Sequence, residues 1–159
     1  MNHQAKIPGL QDESPGERSA GVGMHFSSLA GPHGIGDIGD SARSFVDTLA
    51  RCKIGFWQFL PTGPTAYGDS PYQPLSAFAG NEMLIGINPL VRQGLLSPAD
   101  ADNFAGLSRT SVDYGQLIPQ KHAVLELAAK RFRTRADTSL KSAYEDFLHQ
   151  HDDHWLEDY

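Results

Sequence analysis

The sequence predicts an α/β fold on three observations. Two short apolar runs, Ala20 to Leu29 and Phe56 to Leu60, flank one stripe of apolar residues at helical spacing. Run, stripe and run fit within about 40 residues, the length of a strand–helix–strand unit, which builds parallel sheet. The last third of the chain carries two further stripes at helical spacing and no strand pattern.

Each element has a local reason. Residues 1–19 are polar, carry Asp12, Glu13 and Glu17, and read as a flexible extension. They lack the apolar stretch of a secretory signal, and no run approaches the roughly 20 residues that cross a bilayer, so a soluble cytoplasmic location is expected. From Ala20 the pattern becomes a buried strand, followed by a Gly-, Pro- and His-rich loop from Ala30 to Gly39. Asp40 or Ser41 is a candidate helix cap, because a short side-chain oxygen accepts from a free backbone N–H. Ala42, Phe45, Val46 and Leu49 then give one stripe, Arg51 and Lys53 suit its negative end, and Gly55 ends it. Phe56–Leu60 is the second buried strand, stopped by Pro61.

A long Gly-, Pro-, Tyr- and Ser-rich stretch, Thr62 to Asn81, has no periodicity, and a loop of that length usually has a task. Met83 to Leu90 is apolar, Pro89 to Leu96 fits a short helix, and Ser97-Pro98 opens another. Ile118, Val124, Leu125, Ala128 and Phe132 mark one amphipathic helix; Leu140, Tyr144, Phe147, Leu148 and His151 mark a second, continuing toward Trp155. That helix has no stop signal before Tyr159, so the helical part, residues 91–159, is expected to be truncated, with Trp155 uncovered.

The composition is globular: 159 residues, 40% hydrophobic and 20% charged. The net charge of -6 and the absence of a basic run argue against nucleic acid as a partner. Cys52 is the one cysteine, which excludes an intrachain disulfide, and it is expected to be a buried structural thiol.

Three motifs have plain explanations. Gly34-Ile-Gly36-Asp-Ile-Gly39 matches a dinucleotide fingerprint, yet Ala30–His33 separate it from the strand and no carboxylate stands near Trp57–Leu60 to hold a ribose. Asp37 would also oppose a pyrophosphate, so a tight turn needing glycine backbone angles explains the motif better than a nucleotide-binding βαβ protein. The spacing of His149, His151 and His154 does not put all three on one helix face, so a solvated helix end is expected rather than a metal site. His25 is expected to be a hydrogen-bonded core residue. Asp37, Asp40 and Asp69 are loop carboxylates, but nothing in their spacing makes them a glycosidase pair.

The segment from Gly63 to Asn81 is chemically suggestive. Sugars offer apolar faces ringed by hydroxyls; aromatic rings cover the faces and short polar groups meet the hydroxyls. Tyr67, Tyr72 and Phe78, with Asp69, Ser70, Gln73, Ser76 and Asn81, supply that mixture after a strand's carboxyl end, where α/β folds build their sites. A structural Ω-loop packed by its own aromatics explains the same composition equally well.

Gly31-Pro-His-Gly-Ile-Gly-Asp-Ile-Gly39, Trp57-Gln-Phe-Leu-Pro-Thr-Gly-Pro64, Tyr67-Gly-Asp-Ser-Pro-Tyr-Gln73 and Ser76-Ala-Phe-Ala-Gly-Asn81 resemble the amylomaltase family of 4-α-glucanotransferases. The likeness is strong from Ala20 to Leu90 and weaker through the helical part, with Ala66 in place of a common glycine. The resemblance implies a TIM-type (β/α)₈ barrel, of which this chain holds the amino-terminal first two strands in residues 20–90 and a helical subdomain insertion in 91–159. It implies a retaining double displacement on α-1,4-glucans by an Asp nucleophile, a Glu acid/base and a second Asp, all beyond the matched part, so no catalytic residue is expected in this chain. It implies maltodextrin as the partner, no cofactor and no metal. Tyr72 resembles the family's stacking tyrosine, Ser70 and Asp69 resemble neighbours on the acceptor side, and Tyr67 resembles an aromatic contacting glucan elsewhere. A non-catalytic glucan-binding module is the other reading.

Overall fold

The structure, a computed structural model, describes residues 18–157 apart from Ala66, with Tyr67 described by its backbone alone. The extension before residue 18, the Tyr67 ring, Ala66, Asp158 and Tyr159 therefore lie outside the described residues.

Strands β1 (Gly21–Gly23) and β2 (Phe56–Gln58) pair in parallel, with Gly21 opposite Phe56 and Gly23 opposite Gln58. Helix α1 (Asp40–Arg51) is the connection between them, so the predicted strand–helix–strand unit is present. Both strands are shorter than the apolar runs. The first ends because His25 caps a 3-10 turn, Phe26–Ser28, accepting at Nδ1 from the Ser27 N–H at 3.2 Å. Phe26 thereby turns inward to 8% exposure.

The expectation of buried strands is also corrected. Alternate residues of a strand face opposite ways. Trp57 faces α1, with its ring 4.9 Å from Phe45 and 4.6 Å from Phe26, and its indole N–H donates to the Met24 carbonyl at 2.7 Å. Phe56 points the other way, across Gly21, and stays 52% exposed. No described element covers that face.

Helix α1 differs from expectation at both ends. Gly39 precedes it without a side-chain cap, and Asp40 is its first residue rather than its cap. The Asp40 carboxylate instead accepts from both Arg92 terminal nitrogens, at 2.7 and 2.8 Å, and from Asn88 at 3.3 Å. That guanidinium holds the Asp40 carboxyl below its ordinary value. At the other end Lys53, at φ 56°, takes the left-handed position, while Gly55 donates its N–H to the Ala20 carbonyl, just before β1. Cys52 sits past the last turn, off the apolar stripe, and is exposed, contrary to the buried thiol expected.

The core lies beside the sheet rather than on it. Phe26, Leu29 and Ile35 from the first loop meet Leu84, Ile87 and Leu96 and the buried face of α4 (Tyr114–Arg135). Leu117, Val124 and Ala128 form that face, together with Lys121, which sequence reading overlooked. Helices α2 (Ile87–Arg92) and α3 (Pro98–Ala101) are short. Ser97 and Asp100 form the reciprocal cap of α3, and Arg131 of α4 reaches Asp100 at 2.5 Å. Helix α5 (Thr138–His151) starts at an Asp137 cap, touches α4 through Tyr144 and Phe132, and runs into a π turn, Asp152–Leu156. Trp155 is not left uncovered: its indole N–H donates to His151 Nδ1 at 3.2 Å, and its ring lies edge-on to Phe147.

Candidate functional site

Both parallel strands end at one edge of the sheet, and the Thr62–Asn81 loop departs from there. Its two ends are tied by the Asn81 N–H donating to Thr62 at 2.8 Å. Its waist is tied by the Leu75 N–H donating to Pro64 at 2.8 Å and by a bridge between Thr65 and Pro74. Gly63 is needed there, because a Cβ would stand 2.8 Å from the Ser76 carbonyl. Ser76 Oγ accepts from the Phe78 and Ala79 N–H groups at 3.2 and 3.1 Å. At the tip, Gly68 at φ 78° and Asp69 at φ 53° reverse the chain in left-handed conformations.

This loop is held by backbone and hydroxyl bonds, not by its rings. Tyr72 is 69% exposed and Phe78 74%. An Ω-loop packed by its own aromatics would bury them, so that explanation fails for both rings.

Asp69 reaches a cleft of about 190 Å³ at the carboxyl end of the strands, shared with His25, Ser27, Asn81 and Tyr114. His25 Nε2 lies 3.3 Å from the Pro61 carbonyl, and Nδ1 lies 2.9 Å from Ser27 Oγ. A carbonyl only accepts, so Nε2 carries the proton and Nδ1 is the acceptor. His25 is thus hydrogen-bonded as expected, but half-buried rather than in the core. It clamps the exits of both strands together. Burial raises the Tyr114 phenol above its ordinary pKa, the Asp69 charge adds to that, and a hydrogen bond with Ser27 opposes it.

Of the predicted site residues, Asp69 faces this cleft. Tyr72 stands outside it, open to solvent, and Ser70 Oγ accepts from the Tyr72 N–H at 3.4 Å. The backbone of Tyr67 opens the same turn as Asp69. Tyr114 was missed by sequence reading. It lies 33 residues past Asn81 at the start of α4, and nothing in the loop's own pattern points to it.

The glycine motif is explained by packing. Gly34 has φ 75°, and a Cβ on Gly36 would stand 2.1 Å from the Phe26 carbonyl. Asp37 is 7% exposed, and its Oδ1 accepts from the Gly39 N–H at 2.9 Å. The chain's own carboxylate therefore occupies the donor that a phosphate would need. Among the described residues no three His, Cys, Asp or Glu side chains gather as a metal ion requires.

The fold and motifs have relatives. Residues 24–159 match the sequence profile of glycoside hydrolase family 77, described as 4-alpha-glucanotransferase. A 4-alpha-glucanotransferase from Streptococcus pneumoniae serotype 4 is 46% identical over 142 residues, and one from Thermus thermophilus is 41% identical over the same length. Each alignment covers 89% of this chain and 27% of the relative. The structure is similar to the amylomaltase from Streptococcus agalactiae in complex with acarbose, at TM-score 0.78 and 40% identity, over 86% of this chain and 27% of that one. The chain thus spans about a quarter of the length of the relatives it matches, and over that span it belongs to the 4-alpha-glucanotransferase family.

Proposed function

We propose that this chain is the amino-terminal part of an amylomaltase-type enzyme that transfers α-1,4-glucan segments from one maltodextrin to the 4-hydroxyl of another. Residues 20–90 supply the first strand–helix–strand unit of a (β/α)₈ barrel and its glucan loop, and residues 91–159 supply a helical insertion. The open face of Phe56 is where the barrel's further elements belong.

One observation carries the reading: the Thr62–Asn81 loop is fixed by its own backbone bonds while holding Tyr72 out in solvent. A ring so held is available to stack on a sugar face. Asp69 and Ser70 meet sugar hydroxyls beside it, Tyr67 contacts glucan at the start of the same turn, and Tyr114 completes the wall of the Asp69 cleft. The chemistry follows the family's retaining double displacement, with its three acids supplied by the remainder of the enzyme. The binding groups need neither metal nor cofactor, and the partner is maltodextrin rather than nucleic acid or membrane. No helix among the described residues is long and apolar enough to cross a membrane, and we place the enzyme in the cytoplasm.

The test compares this chain with an enzyme that contains it, both incubated with maltotriose. Glucose and longer maltodextrins should form with the enzyme and not with the chain alone. Turnover by the 159-residue chain above a protein-free blank, lost on Asp69→Asn, would show that the catalytic acids lie within it and overturn the assignment.

A further inference from the structure

Three polar side chains are buried among the described residues: His33 at 5% exposure, Asp37 at 7% and Lys121 at 0%. They come from two segments far apart in sequence. His33 and Asp37 belong to the glycine loop before α1, and Lys121 lies mid-way along α4 on its buried face. Burying an ammonium is costly unless its charge is offset and its N–H groups are bonded.

Lys121 meets each condition in part. Its Nζ donates to the Met83 carbonyl at 2.9 Å, and Asp37 offsets its charge. Met83 stands two residues after the loop's last residue, and its own N–H donates to Asn81 Oδ1 at 2.8 Å. Leu84 donates to the Asn81 carbonyl at 3.0 Å, and the Ile38 N–H donates to Leu84 at 2.8 Å. The root of the glucan loop is therefore a small network in which Asn81, Met83 and Leu84 are tied to one another and to the glycine loop. Lys121 is the bond that joins this network to the long helix.

We propose that Lys121 is a positioning residue for the glucan loop, a charged bolt through which α4 sets the root from which the Asn81 end of the loop springs. The inference rests on the reading of Thr62–Asn81 as the glucan loop. Lys121 touches no part of the cleft at Asp69, so it acts through Met83 and Asn81.

The bolt is sensitive to pH in a defined direction. Burial lowers the Lys121 pKa from 10.5 to about 8, with Asp37 pulling the other way. Its electrostatic partners among the described residues are Asp37 and His33. Burial holds His33 below its ordinary value, so that ring is neutral where Lys121 titrates. Glu82, on the same turn as Met83, is engaged with His122 at the surface. Above about pH 8 the ammonium becomes an amine, its bond to Met83 loses charge assistance, and its attraction to Asp37 disappears. The loop root then loosens without unfolding the core.

The experiment follows the backbone amides of Asn81, Met83 and Leu84 by NMR from pH 6.5 to 10, in the chain itself and in Lys121→Gln. Glutamine can still donate to Met83 but never carries charge. The wild-type amides should titrate together with a midpoint near 8, and the Lys121→Gln amides should not. Asp37→Asn removes the carboxylate that favours the ammonium, so it should move the midpoint to lower pH. In parallel, maltoheptaose affinity should fall roughly three- to tenfold across the same step in wild type and stay flat in Lys121→Gln. Amides that ignore pH near 8, or that titrate identically in Lys121→Gln, overturn the inference. An affinity step common to both proteins does the same. If maltoheptaose binds at no pH, the glucan reading fails, and the amide titration alone decides whether Lys121 sets the loop root.

Discussion

Replacing Tyr72 with alanine, in an enzyme that contains this chain, separates binding chemistry from folding. Tyr72 is 69% exposed, so loss of its ring should change stability by no more than about 0.5 kcal/mol. A tyrosine side chain carries about 200 Å² of surface, and a sugar lying on one face of a ring this open would cover roughly 70 Å² of it. At about 25 cal/mol per Å² that contact contributes ~1.8 kcal/mol, equivalent to about 20-fold in binding. If the contact strengthens as the sugar distorts, the loss appears in kcat; if it is uniform, it appears in KM alone. The assay is maltotriose disproportionation under initial-rate conditions, paired with a thermal melt of the same preparation. Tyr72→Ala should lower kcat/KM by about 10- to 50-fold with an unchanged melt, and Tyr67→Ala should lower it less. Unchanged kcat and KM would refute the stacking role. A melting point that fell along with activity would refute the premise that the ring is structurally idle.

Three further outcomes are expected. Phe56 and Phe59 are 52% and 48% exposed beside an open strand edge, so the chain alone should bind a hydrophobic dye and associate with rising concentration in sedimentation, less so for Phe56→Thr; a compact, dye-negative monomer at every concentration would contradict this. Arg131 first and Ser97 second hold the Asp100 carboxyl far below its ordinary 3.8, so the unfolded chain takes up that proton more readily. The stabilisation is complete above the ordinary carboxylate range, begins to fall as pH enters that range and is gone only below the depressed folded value, and Asp100→Asn should flatten the acid limb of an unfolding curve; an unchanged limb would show that the contact contributes little. Cys52 is exposed, so a thiol reagent should modify one equivalent in the native chain without denaturant, and a thiol that reacted only on unfolding would restore the buried reading.

What was legible in the sequence followed from period and capping. The parallel pairing of β1 with β2 across α1 came from two apolar runs and one stripe, and Ser97-Pro98 announced α3 by its cap. What was illegible came from groups acting at a distance. Asp40 has the composition of a cap, yet Arg92, 52 residues on, draws its carboxylate sideways. Cys52 falls near the apolar stripe in number, but a stripe continues only as far as the chain stays helical, and the helix ends at Arg51. The run to Leu29 reads as one strand, yet His25 turns it by a local side-chain bond. Lys121 is the sharpest case. It stands four residues after Leu117 and three before Val124, so the spacing places it on the buried face, while its charge argues for solvent. Only the Met83 carbonyl and Asp37, neither of them near in sequence, resolve that conflict in favour of burial.

Under the proposed glucan reading, the same contrast accounts for how a loop of this composition would bind sugar. A flexible loop carrying tyrosines would have to be ordered when sugar binds, at a cost of about 1–2 kcal/mol for each residue fixed. Here the loop is tied by its own bonds: ends at Asn81 and Thr62, waist at Leu75 and Pro64, tip reversed through Gly68 and Asp69. All of those bonds use backbone or short polar groups, which leaves the Tyr72 and Phe78 rings out of the loop's own stabilisation. A ring that packed the loop could not also meet a sugar without loosening it. Preorganisation and exposure are therefore compatible only because glycine, proline, serine and asparagine hold the loop, and this division gives the segment its unusual composition.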